Sequence, residues 1–228
     1  MGKLTLICNP ISPFDNRVLI ALTYKGIDFD MKYYDHERDS EEVKKLNPTG
    51  NVPVLVLEDG TPIWESMAII ELLDLLPQYG DTPKLFPSDP VQRAQVYMKI
   101  ARLDKFSARM GPYMMEGAEA ALKGIDEGFQ VFETVLGPDL FFGGENIGVV
   151  DVNIFPFVNR MYCCPEFVDV LAANKCVQGW YDRMLALPCI VQDIGKIQPE
   201  WWHMTIATYK AGKNPMLWPP KNLSSKKQ

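Results

Sequence analysis

The sequence is short of histidine, of basic charge and of long apolar runs, and each shortage removes a class of protein. Histidine occurs only as His36 and His203, and the five cysteines (Cys8, Cys163, Cys164, Cys176 and Cys189) include no CxxC, so no metal site is expected. Lysine and arginine total 23 against 29 aspartates and glutamates, a net charge of −6. That balance disfavours general nucleic-acid binding, which neutralises phosphates with basic side chains. No apolar run approaches the roughly 20 residues that a membrane-spanning helix requires. The opening MGKLTLICNP has neither the apolar stretch nor the cleavage site of a signal peptide, and Leu6 stands where a myristoylation signal carries Ser or Thr. An odd number of cysteines without regular spacing indicates reduced thiols and a cytoplasmic location. The adjacent Cys163 and Cys164 lie too close in the chain for an unstrained disulfide.

What remains is a chain of 228 residues, 47% hydrophobic and 23% charged, able to bury one large core or two smaller ones. Its two halves have different periodicities. LTLIC (4–8) is strand-like, and DNRVLIALTYKG (15–26) has helical spacing that ends at Gly26. DFDMKYYD (28–35) alternates, with Phe29, Met31 and Tyr33 on one face, and SEEVKKL (40–46) reads as a short helix capped by Ser40. PVLVLEDGTPIWE (53–65) reads as a hairpin turning at Asp59-Gly60. SMAIIELLDLL (66–76) reads as an amphipathic helix with a stripe of Ala68, Ile69, Leu72, Leu73 and Leu76. The order is βαβαββα. A stretch with four prolines and a glycine follows at 77–90 and reads as a linker. Beyond it strand signals nearly vanish, and helices are expected near 91–110, 115–136, 149–162, 166–173 and 176–187. The polar tail NLSSKKQ is expected to be disordered.

Three local patterns carry chemistry. In the first, a strand delivers Ser12 to the start of a helix, where unpaired N–H groups and the helix dipole favour an anion. A hydroxyl there either caps the helix or donates to a negative atom. In the second, NPTGNVPVL (47–55), the Val52-Pro53 step entering a strand suggests a cis bond, with the Val52 backbone open to an extended ligand. In the third, WESMAI (64–69), Ser66 at a helix start can cap it or receive a carboxylate, and Glu65 can accept an ammonium group. Together they suit a ligand with a carboxylate and an amine at one end, a peptide middle and an anionic atom, which describes glutathione.

On these motifs the sequence resembles the cytosolic glutathione transferases along nearly its whole length. SPFDNRVLIALTYKGI, NPTGNVPVL and ESMAIIELL stand in the family's order and spacing, followed by LFPSDPVQRAQ and GVVDVNIFP. It is nearest to the serine-type, tau-like classes and to the omega-like ones, which place cysteine where this chain has Ser12. The resemblance implies a thioredoxin-like α/β domain over 1–78, a linker over 79–90 and an all-α domain over 91–228. It also implies a detoxifying transferase that conjugates glutathione, as co-substrate, to hydrophobic electrophiles, and a homodimer. Ser12 would stabilise the thiolate, Val52 would hold the cysteinyl backbone through Pro53, and Glu65 and Ser66 would hold the γ-glutamyl end. Asp104 would lie near the γ-glutamyl amine, and Phe14 would pack under the site. The second substrate would meet Ile11, Arg109, Met110, Tyr113 and Met114, with Trp201, Trp202 and Met204 added from the C-terminal stretch.

Two departures from the family stand out. Asn51 replaces a lysine common in tau-like relatives, so the glycyl carboxylate falls to an amide or to Lys44 or Lys45. Gly148 replaces the usual Ser or Thr before Asp151, which is expected to be a folding element. Cys8, at the end of the first strand, is expected to point inward as an apolar residue. Alternatives to conjugation are peroxide reduction, thiol transfer, and a ligand carrier or interaction protein with little turnover.

Overall fold

The computed structural model describes residues 3–109 and 116–193. Its first half is a four-stranded sheet, in the order β2-β1-β3-β4, built from β1 (Leu4–Cys8), β2 (Phe29–Tyr33), β3 (Val54–Val56) and β4 (Pro62–Trp64). β1 runs parallel to β2 and antiparallel to β3, and β3 and β4 form the expected hairpin. Side-chain alternation divides the sheet into two faces. Leu4, Leu6, Cys8 and Leu55 enter the main core, whereas Ile7 and Val54 join Tyr34, Val43 and Val52 in a smaller cluster on the other side.

Helix α1 (Pro13–Lys25) lies on the main-core side and packs against α3 (Ser66–Leu75). Pro13, with its fixed φ and missing N–H, suits the first turn, and Gly26 ends the helix in the left-handed conformation at φ 66°. Helix α2 (His36–Leu46) starts four residues before the expected Ser40. Asp35 and Asp39 close that end, the Asp35 N–H donating to Asp39 Oδ2 at 2.9 Å and the Asp39 N–H to the Asp35 carbonyl at 2.7 Å. Met31 and Tyr33, alternate residues of the edge strand β2, are 37% and 46% exposed. One further expectation fails on burial. The buried side of α3 carries Ser66, Ile69, Ile70 and Leu73, leaving Ala68 exposed.

Between the halves lie a short 3₁₀ turn (Pro77–Tyr79) and a segment fastened by a buried ion pair. Lys25 Nζ reaches Asp74 Oδ1 at 2.6 Å and also donates to the Pro83 carbonyl at 2.9 Å. The other Asp74 oxygen accepts the N–H groups of Leu85 and Phe86 at 2.9 and 2.7 Å.

The second half is helical: α4 (Pro90–Ser107), α5 (Ala118–Leu122), α6 (Ile125–Leu136), α7 (Val149–Tyr162), α8 (Pro165–Ala173), α9 (Lys175–Leu185) and α10 (Pro188–Asp193). The continuous helix expected over 115–136 is broken at Gly124, whose φ of 72° no helix interior allows, and α10 was not foreseen. Phe132, Phe142, Phe155 and Trp180 form an aromatic centre beside Asp151. Buried Asp151 accepts from the Phe142, Gly143 and Gly148 N–H groups at 3.0, 3.1 and 2.9 Å and from Trp180 Nε1 at 2.8 Å. Burial raises its carboxyl against the pull of these four donors. Glycine at 148 has a steric reason, since a Cβ there would stand 3.1 Å from the Gly143 Cα.

Candidate active site

The loop between β1 and α1 is shaped by Asn9. Its carbonyl accepts the Ser12 N–H at 2.9 Å, and its Oδ1 accepts the Ile11 N–H at 3.1 Å. Ser12 is thereby set at the N-cap of α1, with its Oγ accepting the Asp15 N–H at a long 3.4 Å. A hydroxyl has two lone pairs and one proton, so capping engages the oxygen and leaves the proton to donate elsewhere. The two readings of Ser12 are therefore compatible.

The second segment is ordered by Asn47, whose Oδ1 accepts from the Thr49 N–H and hydroxyl at 3.1 and 3.0 Å and whose Nδ2 donates to the Asn51 carbonyl at 2.8 Å. Gly50 turns the chain at φ 71°, and the Val52-Pro53 bond is cis. At the third segment Glu65 precedes α3 with φ 70°, a left-handed conformation found at no other non-glycine among the described residues. Ser66 is thus the first residue of α3 rather than its cap, and no side chain caps that helix. Its leading N–H groups remain available to an anion.

These three segments face one cavity of about 310 Å³, lined by Ser12, Phe14, Asn47, Asn51, Val52, Pro53, Glu65 and Ser66. Among the described residues, Glu65 is the one charged member of that lining. A cation stands behind it instead. Arg17 is 6% exposed, donates through Nε and NH2 to the Asn153 carbonyl and Oδ1 at 3.0 and 2.9 Å, and reaches Ser66 Oγ at 3.5 Å through NH1. The rings of Phe14 and Phe157 flank its guanidinium at 5.0 and 4.9 Å. Burial lowers it to about 10, and exposed Asp104 on α4 opposes that from a distance. The loop itself is gripped from α7. Arg160 is almost fully buried and donates to the Pro10 and Ile11 carbonyls at 3.4 and 2.9 Å and to Asn16 Oδ1.

Seven of the sequence-derived site residues thus meet in one place: Ser12, Phe14, Asn51, Val52, Pro53, Glu65 and Ser66. Phe14 lines the cavity, 48% exposed and edge-on to Phe157. Asp104 acts on Arg17 without lining the cavity. Ile11 packs into the main core. Arg109 is drawn away to the Lys123 carbonyl, against Gly124 and Gly128. Met110, Tyr113, Met114, Trp201, Trp202 and Met204 lie outside the described residues. Lys44 is ion-paired with Glu41 at 2.7 Å, and Lys45 is exposed. Cys8 is wholly buried, and Cys163 and Cys164 donate to the Asn159 and Arg160 carbonyls, both at 3.3 Å.

Asn47, Arg17, Asn153 and Arg160 escaped the sequence reading. Two signals point to the last three. Asp15, Asn16 and Arg17 form a polar run in a helix buried on all sides, and Asn153 and Arg160 sit seven residues apart, on one face of apolar α7.

The fold is thus a thioredoxin-like α/β domain followed by an all-helical domain. "Glutathione S-transferase, N-terminal domain" matches residues 11–76, and "Glutathione S-transferase, C-terminal domain" matches residues 115–183. The chain is 35% identical over 214 residues to glutathione S-transferase U10 of Arabidopsis thaliana, covering 87% of this chain and 88% of that protein. A rice glutathione transferase solved with glutathione superposes with a TM-score of 0.78 at 26% identity, covering 92% of this chain and 97% of that one. The Tau-class enzyme of mango (Mangifera indica) shares the fold at a TM-score of 0.74 and 24% identity, over 91% of this chain and 98% of that one. The chain belongs to the cytosolic glutathione S-transferase family, on its tau-like side, and is a transferase.

Proposed function

We propose that the protein conjugates the thiolate of glutathione to electrophilic carbons of hydrophobic compounds, with Ser12 stabilising the thiolate. The observation that carries this is the meeting of Ser12, Val52 and the open N-terminus of α3 around one cavity. The γ-glutamyl carboxylate would sit on the first N–H groups of α3 beside Ser66, with Arg17 supplying positive charge from behind. Glu65 would accept the ammonium group, Asp104 adding negative charge nearby, and the Val52 backbone would pair with the cysteinyl residue as an added strand does. The sulfur then falls to the Ser12 hydroxyl at the start of α1.

A free thiol titrates near 8.5, so lowering it by about two units needs roughly 2.7 kcal/mol of preference for the anion. A hydrogen bond to the charged form plus a helix N-terminus is of that order. With a chloronitrobenzene acceptor, the sulfur–carbon bond forms, the carbon–chlorine bond breaks and chloride leaves. In this reading residues 1–78 hold glutathione, 79–90 connect, and 91–228 cover the electrophile. Met110, Tyr113, Met114 and Trp201 are the proposed apolar lining, in a cytoplasmic homodimer. Thiol transfer fits poorly, because the nearby cysteine, Cys8, is sealed in the core.

One observation favours a second reading, a carrier with little turnover: among the described residues no cation lines the cavity near Asn51, where a glycyl carboxylate would end. Glutathione binding, thiolate absorbance and turnover of a chloronitrobenzene separate the two in wild type and Ser12→Ala. Conjugation predicts that Ser12→Ala binds glutathione but loses about 100-fold or more in kcat, as when an oriented donor to a developing anion is removed. Equal rates would refute the role of Ser12, and a wild type that binds without turnover would establish the carrier.

A further inference from the structure

The loop that presents Ser12 carries few donors of its own, since Pro10 and Pro13 have no N–H. The Ile11 and Ser12 N–H groups go to Asn9, and the carbonyls of Pro10 and Ile11 are met from helices. Asn16 Nδ2, in α1, donates to the Pro10 carbonyl at 2.8 Å. Arg160 NH2, from α7, donates to the Ile11 carbonyl at 2.9 Å, to the Pro10 carbonyl at 3.4 Å and to Asn16 Oδ1. Arg160 NH1 donates to the Pro156 carbonyl of its own helix at 3.1 Å, so the guanidinium is itself held. All four acceptors are neutral oxygens, which offset the cost of a buried charge less than a carboxylate does. Burial lowers Arg160 to about 10, so it keeps its charge and its donors at neutral pH.

The Ile11 carbonyl and the Ser12 N–H belong to one planar peptide unit. Arg160 fixes that plane at its oxygen, and the Asn9 carbonyl fixes it at its N–H, 2.9 Å away. The plane sets the φ of Ser12, −71°, and with it the direction in which Cβ and the hydroxyl leave the backbone. A hydrogen bond from that hydroxyl to a ligand's sulfur weakens steeply once its angle opens. We infer that Arg160 is a positioning residue: from the helical half it holds the Ile11–Ser12 peptide, aims the Ser12 hydroxyl and so sets the acidity of the bound thiol. The inference rests on Ser12 being the group that stabilises the thiolate.

The test measures the pKa of enzyme-bound glutathione, from thiolate absorbance against pH. It compares wild type, Arg160→Met, Arg160→Lys, Ser12→Ala and the double variant Ser12→Ala/Arg160→Met. S-methylglutathione, which has no thiol to ionise, reports in parallel whether the cavity still binds. Arg160→Met should raise the bound-thiol pKa by about one unit, a tenfold loss of thiolate preference, with S-methylglutathione affinity kept within about twofold. Arg160→Lys keeps the charge without the planar fork and should give a smaller rise. In the Ser12→Ala background Arg160→Met should add nothing, because Arg160 works through the hydroxyl. Three results overturn the inference: a bound-thiol pKa unmoved in Arg160→Met, a further rise of about one unit in the double variant, or S-methylglutathione affinity lost in step with thiol acidity. If Arg160→Met does not fold, Arg160→Lys decides, and a wild-type value there overturns it. If Ser12→Ala leaves the bound-thiol pKa unchanged, the reading of Ser12 itself fails. If Ser12→Ala raises it while the Arg160 variants do not, only the role of Arg160 fails.

Discussion

Arg17 holds its charge between two aromatic rings and an asparagine, with no carboxylate bonded to it among the described residues. Such a cation is poor value for stability, since burying charge costs several kcal/mol that a ring face and amide only partly return. Its position behind Ser66 gives it another use, as fixed positive potential at the end of α3 where the proposed carboxylate lands. Arg17→Met should therefore weaken glutathione binding about 10-fold or more, in line with hydrogen bonds to charged groups, without lowering the melting temperature. Calorimetric titration beside a thermal melt checks both halves, and unchanged affinity would remove Arg17 from the site. Arginine at this place could not be assigned from local spacing, because its meaning depends on Asn153, 136 residues away. Ser12, Val52, Glu65 and Ser66 were legible for the opposite reason: each sits in a short motif whose own backbone, a helix start or a strand entry, does the positioning.

Among elements, type was easier to read than phase. All four strands and the hairpin turn at Asp59-Gly60 follow from short strand-like runs, alternation in β2 and turn residues. The start of α2 and the buried face of α3 do not, because Asp35 and Asp39 cap through a tertiary arrangement and α3 rotates to present Ile70 to the core. Gly124 likewise divides α5 from α6 through its positive φ, where apolar spacing alone suggested continuity. The Lys25–Asp74 pair is an element-level device, tying the ends of α1 and α3 to the segment that leads into α4. Lys25→Met strands a buried carboxylate, and breaking such a pair costs about 3–5 kcal/mol. Urea unfolding should show a loss of that size, with glutathione affinity retained under native conditions. A variant as stable as wild type would mean that water reaches Asp74.

On the scale of the whole molecule, two buried acids push stability in the same direction as pH changes. Burial raises both Asp15 and Asp151 from the ordinary value of 3.8. A group whose folded pKa is raised stabilises the fold fully below its unfolded value, and that contribution is lost as pH climbs through the folded one. Unfolding free energy should therefore fall from about pH 4 towards neutrality through these two groups, and Asp15→Asn should flatten the slope. Denaturant titrations across that range test this, and an equally steep Asp15→Asn curve would show that other groups dominate. The hold of α7 on the Ser12 loop has a different consequence, for recombination between relatives. Arg160 belongs to the helical half, yet it grips the backbone that presents Ser12. A chimera joined within the connecting segment would inherit the whole cavity lining and still misplace its hydroxyl, unless the incoming helix brought an equivalent of Asn153 and Arg160. The crossover that respects the chemistry keeps α7 with the first half.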